Sequence, residues 1–183
     1  MSKIGERPIE IPTEVQVAKT DKQILIKGKE GEIELTLPSS IEIEKENNIL
    51  RVKTSKSDKK GRSLHGLYRS LLANAVSGVQ KSWQKKLEVV GTGYNVKMKG
   101  EDLELKVGYS HSVIFPKTEG IKYQVEENNK ITVLGANKQL VGQIAYQIKS
   151  IKKPDAYKGK GIKYENEILR IKPGKKAKAE EEA

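Results

Sequence analysis

The chain has 183 residues, 36% of them hydrophobic, and no cysteine, which excludes disulfides, thiolate metal sites and a cysteine nucleophile. Its 35 lysines and arginines outweigh 24 acids to leave a net charge of +11, which points to a polyanionic partner. No apolar run approaches the roughly eighteen residues that span a bilayer, and Met1 to Pro8 hold no signal-peptide core, so a soluble cytoplasmic protein is expected.

Strands come first. Gln23-Ile24-Leu25-Ile26-Lys27 is followed by Ile33, Leu35 and Leu37 at period two, and Ile41 and Ile43 alternate with acids before Ile49, Leu50 and Val52. Such alternation buries one face of a sheet and wets the other. Gly28 to Gly31 and Glu46-Asn47-Asn48 read as turns between them. Residues 53–62 are polar, basic and aperiodic, and are expected to form a mobile loop. The period then changes. Leu64, Leu67, Leu71, Leu72, Ala75, Val76 and Val79 predict one amphipathic helix.

A second series begins near Trp83. Leu87, Val89 and Val90 predict a strand, followed by strands at Val96 and Met98, at Leu103 to Val107, and at Val113 to Phe115. Ile121 to Val125 and Ile131 to Leu134 add two more. Asn137 is suited to cap a helix whose stripe is Leu140, Val141, Ile144, Ala145, Ile148 and Ile151, and Pro154 stops it. The order of elements repeats, and so do fragments such as Glu46-Asn47-Asn48-Ile49 and Glu127-Asn128-Asn129-Lys130-Ile131. The fold class expected is therefore α+β, two similar domains from an internal duplication, each an antiparallel or mixed sheet packed on one helix. The expected division is 1–82, 83–172 and a disordered tail at 173–183.

The charge is uneven. Residues 151–178 carry ten basic and three acidic side chains, net +7, whereas residues 1–82 carry 15 and 11, net +4. Within that segment lies Lys152-Lys153-Pro154-Asp155-Ala156-Tyr157-Lys158-Gly159-Lys160-Gly161-Ile162-Lys163. Lysine neutralises phosphate, glycine lets a backbone approach a ligand, and tyrosine can stack on a base or sugar. A solvated basic loop is the plainer reading of the same residues. Thirty lysines to five arginines favour charge attraction over bidentate base recognition. Aromatic content of 5% argues against a stacking platform for single strands.

The marks of catalysis are absent. His65 and His111 have no second ligand at metal spacing, Gly91-Thr92-Gly93 lacks the third glycine of a dinucleotide loop, and Gly159-Lys160-Gly161 lacks the Ser/Thr of a phosphate loop. No enzyme activity, metal or cofactor is expected.

The segment Pro154-Asp155-Ala156-Tyr157-Lys158-Gly159-Lys160-Gly161-Ile162 resembles the signature of the bacterial type of large-subunit ribosomal protein six. Ser2-Lys3-Ile4-Gly5, Gly66-Leu67-Tyr68-Arg69-Ser70-Leu71-Leu72-Ala73-Asn74, Leu87 to Tyr94, Gly108-Tyr109-Ser110-His111 and Lys138-Gln139-Leu140-Val141-Gly142-Gln143 are similar to that family in the same order. Glu6, Ser112, Ile171 and Tyr68 depart from its usual residues. The resemblance implies a structural constituent of the large subunit. It would bind large-subunit rRNA near the factor-binding stalk base and the sarcin–ricin loop region, beside other ribosomal proteins, with translation factors as indirect partners. Carried onto this chain, the rRNA contacts fall on Lys152, Lys153, Tyr157, Lys158, Gly159, Lys160, Gly161, Lys163, Lys172, Lys175 and Lys176. A secondary set is Lys59, Lys60, Arg62, His65, Ser110 and His111. The competing readings are a free nucleic-acid-binding module and, more distantly, an enzyme acting on an anionic substrate.

Overall fold

Alternating aliphatic residues build the strands of the first half as the pattern requires. The computed structural model describes residues 3–20, 23–55 and 58–174. The first half contains β1 (Ile9–Glu10), β2 (Gln16–Lys19), β3 (Gln23–Gly28), β4 (Gly31–Thr36), β5 (Ile41–Glu46), β6 (Ile49–Thr54) and helix α1 (Lys59–Gln80). These strands form two three-stranded sheets, in the orders β1-β6-β5 and β2-β3-β4, and each neighbouring pair is antiparallel. Ile24, Ile26, Leu50 and Val52 turn inward at period two and meet Leu72, Ala75, Val76 and Val79 of α1. Each such aliphatic side chain contributes about 1.5–3 kcal/mol on burial. That outweighs the roughly 1 kcal/mol that a helix-interior glycine such as Gly66 costs, so α1 owes its stability to packing rather than to propensity.

Two expectations for α1 need correction. Residues 53–62 are not one loop: β6 runs to Thr54, and Lys59, Lys60 and Arg62 already belong to the helix. Asp58 caps it, its carboxylate accepting from Gly61 N–H at 2.7 Å. Basic first-turn side chains face solvent, so no apolar period announced the helix start. Leu67 does not share the buried stripe and is half exposed, whereas His65 is buried with Leu72 and Val79. His65, Leu72 and Val79 stand seven residues apart, two helical turns each, and so share one face.

The second half contains β7 (Trp83–Val90), β8 (Asn95–Lys99), β9 (Asp102–Lys106), β10 (Val113–Phe115), β11 (Ile121–Glu126), β12 (Lys130–Gly135), helix α2 (Lys138–Ile151) and β13 (Gly161–Tyr164). Its sheets are β10-β9-β8 and β11-β12-β7-β13. Two helices with antiparallel sheets in a repeated order make an α+β fold of two similar parts, and the strands of each half divide between two sheets. Asn137 caps α2 as expected, its Oδ1 accepting from Gln139 and Leu140 N–H groups at 3.0 and 3.3 Å. Strand β13 carries a single aliphatic residue, Ile162, and its alternation is too short to read. Its antiparallel pairing with β7 creates it, from Gly161 opposite Val90 to Tyr164 opposite Leu87, and buries Ile162 completely.

By contact density the chain divides into two compact units. One comprises Met1–Gln84, Thr118–Lys122 and Leu134–Gln143; the other comprises Lys85–Lys117, Tyr123–Val133 and Ile144–Ala183. Among the described residues no helix is long and apolar enough to cross a membrane.

Candidate nucleic-acid interface

The basic segment has a definite shape because Asp155 organises it. Its carboxylate accepts from the N–H groups of Tyr157 and Lys158, at 3.3 and 2.7 Å. Its backbone carbonyl takes Gly159 N–H at 3.0 Å, and its own N–H donates to Lys160 O at 2.9 Å. Ile162 N–H then bonds Lys152 O at 2.8 Å, closing the loop onto the start of β13. An acidic residue amid lysines thus serves as the pivot of the turn, not as a stray opposing charge.

Both signature glycines are buried, contrary to the expectation of a backbone laid open to a ligand. Gly159 has φ +67° and Gly161 φ +147°, backbone that side-chain-bearing residues avoid. A Cβ at Gly161 would lie 2.7 Å from both the carbonyl oxygen of Lys153 and Cα of Pro154. These glycines let the loop pack on itself, and what they present outward is lysine. The chain after β13 folds back over the same loop. Lys172 N–H donates to Ala156 O at 2.8 Å, and Ile171 Cδ1 lies 3.6 Å from where a Gly159 Cβ would stand. Ile171 therefore packs against the loop and adds no charge to it.

Other loops join this surface. Tyr109, on the loop after β9, donates its hydroxyl to Ile151 O at 2.8 Å, at the last turn of α2. The Lys152 ammonium sits 4.6 Å from the Tyr109 ring centre, and the His111 ring stacks on Tyr109 at 6.2 Å. Lys160 Nζ reaches Thr92 Oγ1 at 3.3 Å, on the loop after β7. The Tyr94 ring packs against Gly91 and Gly108, which ties those two loops together. Ser110 and His111, secondary candidates on sequence, are thereby exposed beside Lys152.

The cations differ in their company. Among the described residues, Lys152, Lys153, Lys158, Lys160, Arg170 and Lys172 have no carboxylate within ion-pairing distance. Tyr157 is 59% exposed among them. Lys163 is different: its ammonium is held by Glu88 at 3.0 Å across the β13–β7 pair. Lys149 is likewise bound by both oxygens of Glu167 at 2.6 Å. That hydrogen bond, then the Tyr164 N–H bond to the same carboxylate, holds the Glu167 carboxyl below its ordinary range. A linear count treats Lys163 like Lys152 or Lys158, because pairing across strands is invisible in it.

Of the remaining candidates, Lys59, Lys60 and Arg62 are exposed on the first turn of α1, in the other unit. His65 is 5% exposed with Nε2 2.8 Å from Val52 O, and its ring lies against Gly5. A ring so enclosed has no face left for a phosphate. Lys175 and Lys176 lie outside the described residues. Among the described residues no group of three or more His, Asp or Glu side chains is placed to hold a metal ion.

Comparison with known proteins gives a consistent picture. A family model described as ribosomal protein L6 matches residues 11–82 and 90–165. The large ribosomal subunit protein uL6 of Syntrophomonas wolfei is 47% identical over 175 residues, covering 96% of this chain and 98% of that protein. Proteins of the same name from Halothermothrix orenii and Natranaerobius thermophilus are 46% and 44% identical, each over 178 residues. They cover 96% and 97% of this chain and 99% and 100% of their own lengths.

Proposed function

The chain belongs to the ribosomal protein L6 family, and on that premise we propose that it is a structural constituent of the large ribosomal subunit that binds rRNA without chemistry of its own. The contacts are carried by Lys152, Lys153, Tyr157, Lys158, Lys160 and Lys172, by Lys175 and Lys176 of the tail, and by Ser110 and His111. Gly159 and Gly161 hold the loop that presents them. The site on the subunit is the rRNA near the stalk base and the sarcin–ricin loop region, whose local fold these cations stabilise. Translation factors are then indirect partners. Residues 1–82 and 83–172 are the two halves of the duplication, with 173–183 as a tail.

The observation that carries this reading is that Lys152, Lys153, Lys158, Lys160 and Lys172, with Arg170 beside them, are six cations without carboxylate partners among the described residues, on loops joined by hydrogen bonds and ring contacts. Cations left unpaired by their own protein are the ones whose binding releases counterions from phosphates. Six neutralised phosphates correspond to a log–log salt slope of roughly −4 to −5 for mixed single- and double-stranded RNA. Filter-binding titrations on in-vitro-transcribed large-subunit rRNA are expected to give that slope, and the protein is expected to sediment with large subunits in a sucrose gradient. A slope near zero, or absence from the subunit peak, refutes the reading.

A further inference from the structure

Helix α2 holds a glycine that the fold does not explain. Gly142 lies in its second turn, with ordinary helical backbone and exposed. A Cβ built there meets nothing within 4 Å. Glycine in a helix interior is among the least favourable choices, and alanine would fit the space. Gly78 of α1 shows the usual justification, since a Cβ there would collide with the carbonyl oxygen of Ala136. Among the described residues Gly142 has no such neighbour, which leaves the space open to a visitor from outside the chain.

The chemistry of the face narrows the visitor. Gln139, Gly142, Gln143, Tyr146 and Ser150 follow one another on the exposed side of this single uninterrupted helix. Tyr146, one turn beyond Gly142, is 56% exposed. None of the 24 acidic residues of the chain lies on α2, nor on α1. The first turn of a helix favours acids through its dipole, and α2 begins with Lys138 instead. A helix that forgoes carboxylates even there is suited to a negatively charged neighbour. A protein partner would be expected to meet an apolar core patch, and this face offers one large ring among amides and a hydroxyl. The minor groove of A-form RNA is wide and shallow and displays 2′-hydroxyls and phosphates, which suit amides, hydroxyls and a ring edge.

We propose that the exposed face of α2, centred on Gly142, is a second rRNA-contacting surface on which an RNA minor groove approaches the helix backbone. It rests on the rRNA-binding reading above and adds a shape-dependent contact to a charge-dependent one.

The test compares Gly142→Ala, Gly142→Gln and Lys158→Ala with the wild type. It uses thermal melts and filter binding to full-length in-vitro-transcribed large-subunit rRNA at several salt concentrations. Gly142→Ala is expected to melt about 3 °C higher, because it removes a helix-interior glycine. Gly142→Gln is expected to bind roughly tenfold more weakly at every salt concentration, since its side chain occupies the space of approach. Its salt slope should match the wild type, whereas Lys158→Ala should lose about one unit of slope. A lower melting temperature for Gly142→Ala would mean the fold needs this glycine and would overturn the proposal. Wild-type affinity for Gly142→Gln beside a weakened Lys158→Ala would overturn the proposal and leave the basic loop's role standing. Normal rRNA binding by Gly142→Gln with failure to enter large subunits would assign the face to a protein neighbour and overturn the RNA assignment. A wild-type chain that does not bind the rRNA removes both readings.

Discussion

The strands of the first half and the loop between α2 and β13 use lysine in opposite ways. On the strands of the first half, Lys27 meets Glu32 at 2.9 Å and Lys53 meets Glu44 at 2.7 Å, while Arg51 stands 3.8 Å from Glu46. Lys19 donates to Ile43 O at 2.9 Å. In the second half, the loop between α2 and β13 leaves Lys153 and Lys158 with no carboxylate at all, its one acid being committed to the turn. The architecture behind this is simple. The sheet β1-β6-β5 ends at a two-residue edge strand, whereas in β11-β12-β7-β13 the strand after the helix adds itself to β7. That addition forces the connecting segment into a tight basic loop. Density of charge does not locate an interface, because a cation already paired has little to offer a phosphate.

The comparison is broken most severely at Gly161. Gly161→Val places a branched side chain against Lys153 and Pro154 in backbone that valine avoids. The expected loss is about 3 kcal/mol, read from urea denaturation midpoints. RNA affinity should fall with it, since the loop can no longer seat. Unchanged stability would mean that the loop is a tether rather than part of the fold.

Charge sharpens the comparison with a smaller effect. Lys153→Ala and Lys158→Ala should each reduce the salt slope of rRNA binding by about one unit. Lys27→Ala and Lys53→Ala, from the paired set, should leave it unchanged. Equal effects from both sets would show that pairing does not decide which lysines meet RNA.

The smallest effect concerns the paired Glu167. Its carboxyl is held low by Lys149 and by Tyr164 N–H. A depressed folded value contributes stability above the ordinary value near 4.5 and loses it as pH falls through the lower folded value. Glu167→Gln should therefore cost no more than about 1 kcal/mol at neutral pH. That gap to the wild type should close as the pH is taken below 4.5, in denaturation curves recorded at each pH. A gap that persists in acid would show that the carboxylate's charge is not what matters.

Much of the fold is legible in the sequence. Period two placed Ile33, Ile41, Ile43, Leu103 and Leu105 on inner faces, and all are buried. Asn137 and the stripe through Ile144 and Ile148 announced α2, because a cap and a helical face depend only on neighbours within a turn or two. The basic segment was also legible as a region of charge. Its inner arrangement was not. Gly161 meets Val90, Lys160 meets Thr92 and Tyr109 meets Ile151. Such pairs are separated by tens of residues, so no local pattern records them. Local periodicity determined most of the inward-facing side chains and where both helices and most strands lie, though not where α1 begins. Only the tertiary structure decided that β13 exists, that Gly159 and Gly161 serve packing, that His65 is enclosed, and which lysines remain unpaired. Those outcomes depend on which distant strand or loop arrives beside a residue, and that is set by the closing of the whole sheet rather than by the residue's neighbours in sequence.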